Sequence, residues 1–187
     1  MGKKRIVITG GPGTGKTVVI QQLEKAGFHC FHEIIRTMTL EAKKKGDAKT
    51  FVSNPIVSVN NPAEFNNAIL EGRIQQFKDA YKVKGAYAFY DRGIPDVLAY
   101  MDFFDQSYAK PFITACKQHI YDTIFLLPPW EEIYVSDNER LESFEEALEV
   151  HKHLESTYTR FGYDITLVPK TTIEERFLFI LKKLNIQ

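Results

Sequence analysis

An α/β fold, with a parallel sheet covered by helices on both faces, is what this 187-residue sequence predicts. Three observations predict it. Short apolar runs alternate with longer stretches of helical period along the whole chain, the mark of strand–helix units. The run Ala86 to Tyr90 is unbroken and apolar, as a strand buried on both faces is. A glycine-rich run joins the first strand to the first helix, at the edge where such sheets bind ligands. The length suits one domain, residues 1–187, with a core of ordinary size.

Taken in order, the first strand is Arg5 to Thr9. A helix of Val18 to Ala26 follows the glycine-rich run and ends at Gly27, which suits a left-handed cap. Phe28 to His32 reads as the second strand, and Ile34 to Lys45 as a helix stopped by Gly46. Residues 47–61 show no period, contain Pro55, and form a candidate substrate segment. Asn61-Pro62-x-Glu64 opens a helix with a cap and a first-turn proline; Phe65, Ile69, Phe77 and Tyr81 form its apolar face. Strand three ends at Asp91-Arg92-Gly93. Helices over Pro95 to Phe104 and Lys110 to His119 come next. Strand four, Thr123 to Leu127, stops at Pro128-Pro129. Ser143-x-x-Glu146 is a capping box for a helix whose inner stripe reads Phe144, Leu148, His151, Leu154, Tyr158 and Phe161. Strand five is Asp164 to Val168. The last helix, Thr172 to Leu184, turns Ile173, Phe177, Ile180 and Leu184 inward.

Composition excludes several classes. Hydrophobic residues make up 44%, so the chain folds and is not a disordered segment. Lys plus Arg balances Asp plus Glu at 24 each, which gives no bulk attraction to nucleic acid or to an acidic membrane. Peripheral lipid binding through a local patch stays open. No apolar run has the length of a membrane span. Met1 to Arg5 leads straight into the first strand and leaves no room for a signal peptide. Cys30 and Cys116 read as buried free thiols, in keeping with a reducing, cytoplasmic setting.

The run Gly10-Gly11-Pro12-Gly13-Thr14-Gly15-Lys16-Thr17 matches G-x-x-x-x-G-K-[ST] between a strand and a helix. Its backbone N–H groups can wrap a phosphate, and the dipole of the next helix adds to the same point. In that arrangement Gly11, Gly13, Thr14, Gly15, Lys16 and Thr17 bind the phosphates of ATP. Lys16 reaches the β- and γ-phosphates, and the Thr17 hydroxyl ligates Mg²⁺. A dinucleotide fingerprint fits worse, because it needs glycine where Lys16 stands.

A parallel sheet gathers the residues that follow each strand at one edge. These are the phosphate loop, Glu33, Asp91-Arg92, Pro128-Pro129 and Pro169-Lys170. Asp91 is a candidate Mg²⁺ ligand, or a cap for the helix behind it. Arg92 grips a transferring phosphoryl group or forms an ion pair with Glu33. Glu33 takes the proton of an attacking hydroxyl, or is a helix-start carboxylate. Arg140, in Asp137-Asn138-Glu139-Arg140, sits in a candidate lid of residues 129–143 that would close over the phosphates. Arg36 reads as a solvated charge, and Arg73 and Gln76 as surface groups in preference to contacts with the acceptor. His151 reads as a satisfied core histidine and Trp130 as a packing anchor. No Asn/Thr-Lys-x-Asp pattern for guanine occurs. Asp91 is followed by Arg92 and not by the Glu of many hydrolytic motors, which favours transfer to an acceptor.

The phosphate loop, Asp91-Arg92-Gly93-Ile94-Pro95-Asp96, Leu126 to Trp130, Asn138-Glu139-Arg140 and Val168-Pro169 together resemble the compact AAA-type P-loop family. That family includes the ribosylnicotinamide-kinase domain of bacterial NAD-regulator proteins and the animal Ttd-type proteins. The resemblance implies a three-layer P-loop NTPase with five parallel strands in the order 2-3-1-4-5, and a small lid. It implies adenine contact near Pro169, Lys170 and Thr171, a lid arginine near Arg140, and a base and acid–arginine pair at Glu33, Asp91 and Arg92. The expected activity is ATP- and Mg²⁺-dependent phosphoryl transfer to a small hydroxyl-bearing acceptor such as a nucleoside. The alternative is a nucleotide-gated module for a phosphoinositide or protein partner, with slow hydrolysis.

Overall fold

The computed structural model describes residues 2–35, 61–134 and 143–186. Five strands form one sheet: β1 (Lys4–Gly10), β2 (His29–Phe31), β3 (Tyr87–Asp91), β4 (Thr123–Leu127) and β5 (Ile165–Leu167). Their order is β2-β3-β1-β4-β5, with every pair parallel. The expected topology is therefore the observed one, and the strand ends shift by one or two residues. Six α-helices lie among the described residues: α1 (Lys16–Lys25), α2 (Pro62–Asp79), α3 (Pro95–Phe103), α4 (Lys110–Gln118), α5 (Phe144–Arg160) and α6 (Ile173–Lys183).

Period-two alternation sends side chains to two cores, one on each face of the sheet. Ile6, Ile8, Phe89, Phe125 and Leu127 meet Val19, Ile20 and Leu23 of α1 and Ile180 of α6. Val7, Ala88, Tyr90, Ile124 and Leu126 meet α2, α3, α4 and α5 on the other face. Cys30 and Cys116 are buried free thiols, as expected, and burial pushes each up to about 12.

Local signals set the helix starts. Asn61 accepts from the Glu64 amide at 3.3 Å, with Pro62 in the first turn. Ser143 and Glu146 form the expected reciprocal box at 3.2 and 2.7 Å. Thr172 and Glu175 form another at α6.

Two helix faces differ from expectation. On α5 the buried residues are Ala147, Val150, Leu154, Thr157 and Tyr158, while Leu148 is 39% exposed. The cause is close approach: a Cβ on Gly11 would sit 3.1 Å from the Ala147 carbonyl, so the turn of α5 that meets the loop carries a small side chain. On α6 the buried pair is Arg176 and Ile180, and Ile173 lies outside. Tyr81 falls beyond α2 and is 76% exposed, stacked against the Arg5 guanidinium.

Among the described residues no helix is long and apolar enough to cross a membrane. Most of the helix expected over Ile34 to Lys45, the segment 47–61 except Asn61, and Arg36 and Arg140 lie outside the described residues. So does the expected lid between 135 and 142.

Candidate nucleotide and phosphoryl-transfer site

Register brings the expected strand ends together. Ile8 pairs with Asp91, and Gly10 pairs with Leu127, so the glycine-rich loop rises from the centre of the carboxyl edge. Gly15 sits at the N-terminus of α1 with φ +81° and offers no side-chain cap. That leaves the first-turn amides to an anion. A Cβ at Gly13 would lie 2.5 Å from the Tyr134 ring, and one at Gly15 would lie 2.8 Å from Arg176 Nη1. The loop is held from both sides, and only glycine fits.

Lys16 folds back over the loop. Its Nζ donates to the Gly10 carbonyl at 2.8 Å and to the Gly11 carbonyl at 2.7 Å, with the Thr14 hydroxyl at 3.5 Å. Thr14 Oγ1 itself donates to the Gly11 carbonyl at 3.0 Å. Desolvation by burial, then the positive charge of Arg92, lowers Lys16 to about 7; Asp91, Glu33 and Asp96 act the other way. The pairing of Ile8 with Asp91 and the contact of Arg92 with Glu33 bring the loop and the ends of β2 and β3 to one edge. Thr17 follows on α1, and Asp91 closes β3, buried.

Glu33 and Arg92 form an ion pair through Oε2 and Nε. The sequence left that pair and a phosphoryl grip as alternatives for Arg92, and the pair is present. Arg73 is the correction. Expected at the surface, it is 3% exposed. Its Nη2 meets Glu33 Oε1 at 2.9 Å, and its Nη1 donates to the Gly93 carbonyl at 2.7 Å. Burial acts against its charge, but Glu33 first and Asp96 next hold its pKa above the usual value. Gln76 does sit near the surface and donates to the His32 carbonyl at 2.7 Å.

Behind this pair lies Asp96, fully buried. Its Oδ1 accepts from the Thr9 hydroxyl at 2.5 Å and meets Arg92 Nη1 at 3.3 Å. Its Oδ2 accepts from the Tyr158 hydroxyl at 2.5 Å and from the Gly93 amide at 2.9 Å. Burial acts to raise its pKa, yet Arg73, Arg92 and the two hydroxyls hold it below the ordinary carboxylate value. Gly93 lies under the same network: a Cβ there would be 2.5 Å from Tyr158 Oη, 3.1 Å from Val7 and 3.2 Å from Tyr121. The Tyr158 hydroxyl is anchored and cannot swing away. Gly93→Ala should therefore cost about 1–3 kcal/mol, read as a lower urea midpoint at unchanged slope.

The loop after β5 sits at the same edge. The Val168 amide donates to the Leu126 carbonyl at 3.0 Å. Pro169 and Lys170 are exposed, and the Thr171 hydroxyl bonds Glu175. Arg176, one turn into α6, reaches back to the Thr14 carbonyl at 3.2 Å, and its guanidinium lies over the Trp130 ring at 5.8 Å. Its Nε is buried with no hydrogen-bond partner among the described residues, and burial lowers its pKa. His151 is not satisfied as expected: its Nδ1 is buried without a partner among the described residues. Burial lowers its pKa, Glu155 acts upward and Lys170 downward.

Arg73, Asp96 and Arg176 brace this site, and sequence reading does not place them there, Arg73 standing at the surface in preference to the acceptor. A signal existed for two of them. Residue 73 completes the series 65, 69, 73, 77 of the apolar face of α2, and residue 176 falls between Ile173 and Ile180. A charge on an inward stripe demands a buried partner.

The sequence profile of the AAA domain family matches residues 5–176. No curated protein matches. Several solved structures share the fold. NadR in complex with NR superposes with a TM-score of 0.72 at 16% identity, over 98% of this chain and 51% of that one. Thymidylate kinase from Candida albicans gives 0.71 at 15%, over 98% and 91%. Deoxyadenosine kinase from M. mycoides, with dATP bound, gives 0.64 at 18%, over 97% and 99%.

Proposed function

We propose that this chain, which belongs to the AAA domain family, is a P-loop phosphotransferase that moves the γ-phosphoryl group of ATP to a small hydroxyl-bearing acceptor such as a nucleoside. One observation carries the reading. A phosphate loop and a buried set of paired acids and arginines meet around Lys16 at one sheet edge. The fold shared with nucleoside and nucleotide kinases supports it.

In this scheme the amides of Gly11 to Thr17 and the Lys16 ammonium hold the polyphosphate. The bond between the γ-phosphorus and the ADP oxygen breaks as the acceptor oxygen bonds to phosphorus. The acceptor proton passes to Glu33. Two arginines aim the Glu33 carboxylate, and it accepts the proton late, as a loose transition state allows. Arg92 and the lid residue Arg140 offset charge on the moving group. The loop Pro169, Lys170 and Thr171 borders the base. Among the described residues no three His, Cys, Asp or Glu side chains form a metal cage. A hydroxyl and a single carboxylate suit a cation that keeps its waters and leans on phosphates, so Thr17 and Asp91 would hold Mg²⁺. Bound there, the ion would polarise the β- and γ-oxygens.

The test is ADP release from ATP over a panel of nucleosides, nucleoside monophosphates and nicotinamide riboside, with and without EDTA. Stimulation well above hydrolysis in buffer by one hydroxyl-bearing compound, lost in EDTA, is the expected result. Binding of ATP with no stimulation across the panel would favour a nucleotide-gated binding module instead.

A further inference from the structure

We propose that Asp96 is a positioning residue of this site: its buried carboxylate ties the Arg92 guanidinium and the root of the phosphate loop to one point. The inference rests on the phosphotransfer reading above. Four groups converge on the two oxygens of Asp96, and they come from three distant parts of the chain. Thr9 precedes Gly10, whose carbonyl receives Lys16. Arg92 and Gly93 form the turn after β3. Tyr158 belongs to α5, which packs against Gly11. The nucleotide cradle and the charge-bearing turn therefore share one anchor.

Arg92 needs that anchor. Its φ is +75°, in the left-handed region that a long side chain enters at a cost. The turn is kept there by Arg92 N–H donating to the Ile8 carbonyl at 3.1 Å and by Gly93 N–H donating to Asp96. The guanidinium is then fixed from three directions: Glu33 at Nε, Asp96 at Nη1, and the Tyr100 ring 5.0 Å below. With Asp96 neutral, the head pivots about Glu33. A group that must meet charge on a moving phosphoryl cannot pivot, because misplacement of an ångström costs orders of magnitude in rate. A packing role alone would be met by an apolar side chain without burying a charge.

The test compares Asp96→Asn, which keeps the shape and removes the charge, with Tyr158→Phe, which removes one hydroxyl bond and keeps the charge. In ¹⁵N-labelled protein the Arg92 Nη–H signal, which reports the Asp96 contact, should exchange with water at least about tenfold faster in Asp96→Asn, with the Arg73 signal unchanged. The Kd for Mg·AMP-PNP should stay within about threefold, while ATP turnover per folded molecule, with the best acceptor or by basal hydrolysis, falls about 100-fold. Tyr158→Phe should lower Tm and keep turnover within about threefold. If Asp96→Asn does not fold, Asp96→Glu, which moves the charge by one methylene, should show the same split between binding and turnover. An Arg92 signal unchanged by either Asp96 variant would overturn the proposal. Parallel losses of turnover and stability in both the Asp96 and Tyr158 variants would also overturn it. The arginine signals are read without any turnover. A wild-type protein that binds ATP and turns nothing over would sink the phosphotransfer reading, and these signals would still decide whether Asp96 holds Arg92.

Discussion

Lys16→Met should lower nucleotide turnover by about 10²–10³-fold while leaving the empty protein more stable, not less. The first half follows from charge. The ammonium is the loop's own cation, and the two arginines near the ends of β2 and β3 are held elsewhere: Arg73 and Arg92 both pair with Glu33. The second half follows from its pKa, which burial has brought from 10.5 to about 7. The unfolded chain holds that proton up to about pH 10, and the folded chain gives it up near 7. Between those values the unfolded state binds more protons, so this lysine's contribution to stability rises with pH, and its penalty is fully present below 7. Methionine removes the penalty. Because Lys16 keeps some contact with water, the gain should be about 1–3 kcal/mol at pH 6 and should vanish by about pH 10. Urea midpoints at the two pH values measure it. The same shift gives a binding signature. Polyphosphate restores the ammonium, so ATP should take up a fraction of a proton at pH 8 and none at pH 5.5. Calorimetry in two buffers of different ionisation heat reads that uptake, and Lys16→Met should abolish it.

Arg73→Met should cost about 3–5 kcal/mol of folding stability, a large loss for a position that sequence reading places at the surface. The guanidinium is buried, and it satisfies both Glu33 Oε1 and the Gly93 carbonyl. Removing it leaves a buried carboxylate short of one guanidinium and a carbonyl with the Asp96 amide at 3.2 Å in place of two donors. The double variant Arg73→Met/Glu33→Gln should lose clearly less than the sum of the single variants, and that coupling separates the ion pair from simple packing. Acid behaviour should change as well. Asp96 sits below its ordinary range partly because of Arg73. Its contribution to stability is present above the unfolded value of about 3.9 and is lost as pH falls through the lower folded value. Without Arg73 the contribution shrinks, and acid unfolding should begin at a higher pH.

Much of the architecture was legible in the sequence because its determinants are local. The capping box at Ser143, the proline start at Pro62 and the apolar run of β4 each declare themselves within a few residues. The glycine-rich loop is local too, and strand alternation was enough to assemble one ligand edge. What escaped is non-local. Asp96 meets groups 87 residues before it and 62 after it, and Arg176 meets a carbonyl 162 residues away. No short window contains both partners. The face of α5 escaped for a different reason. Large apolar residues mark a stripe by eye, but the face pressed against Gly11 admits only a small one, so Ala147 is buried and Leu148 is outside.

The hold of Arg176 on Thr14 sets an order of events during translation. The glycine-rich run is synthesised some 162 residues before the guanidinium that braces it. A nascent chain can have the motif in full and still lack its keystone. The braced loop is complete only once α6 has been made, and the motif waits for it.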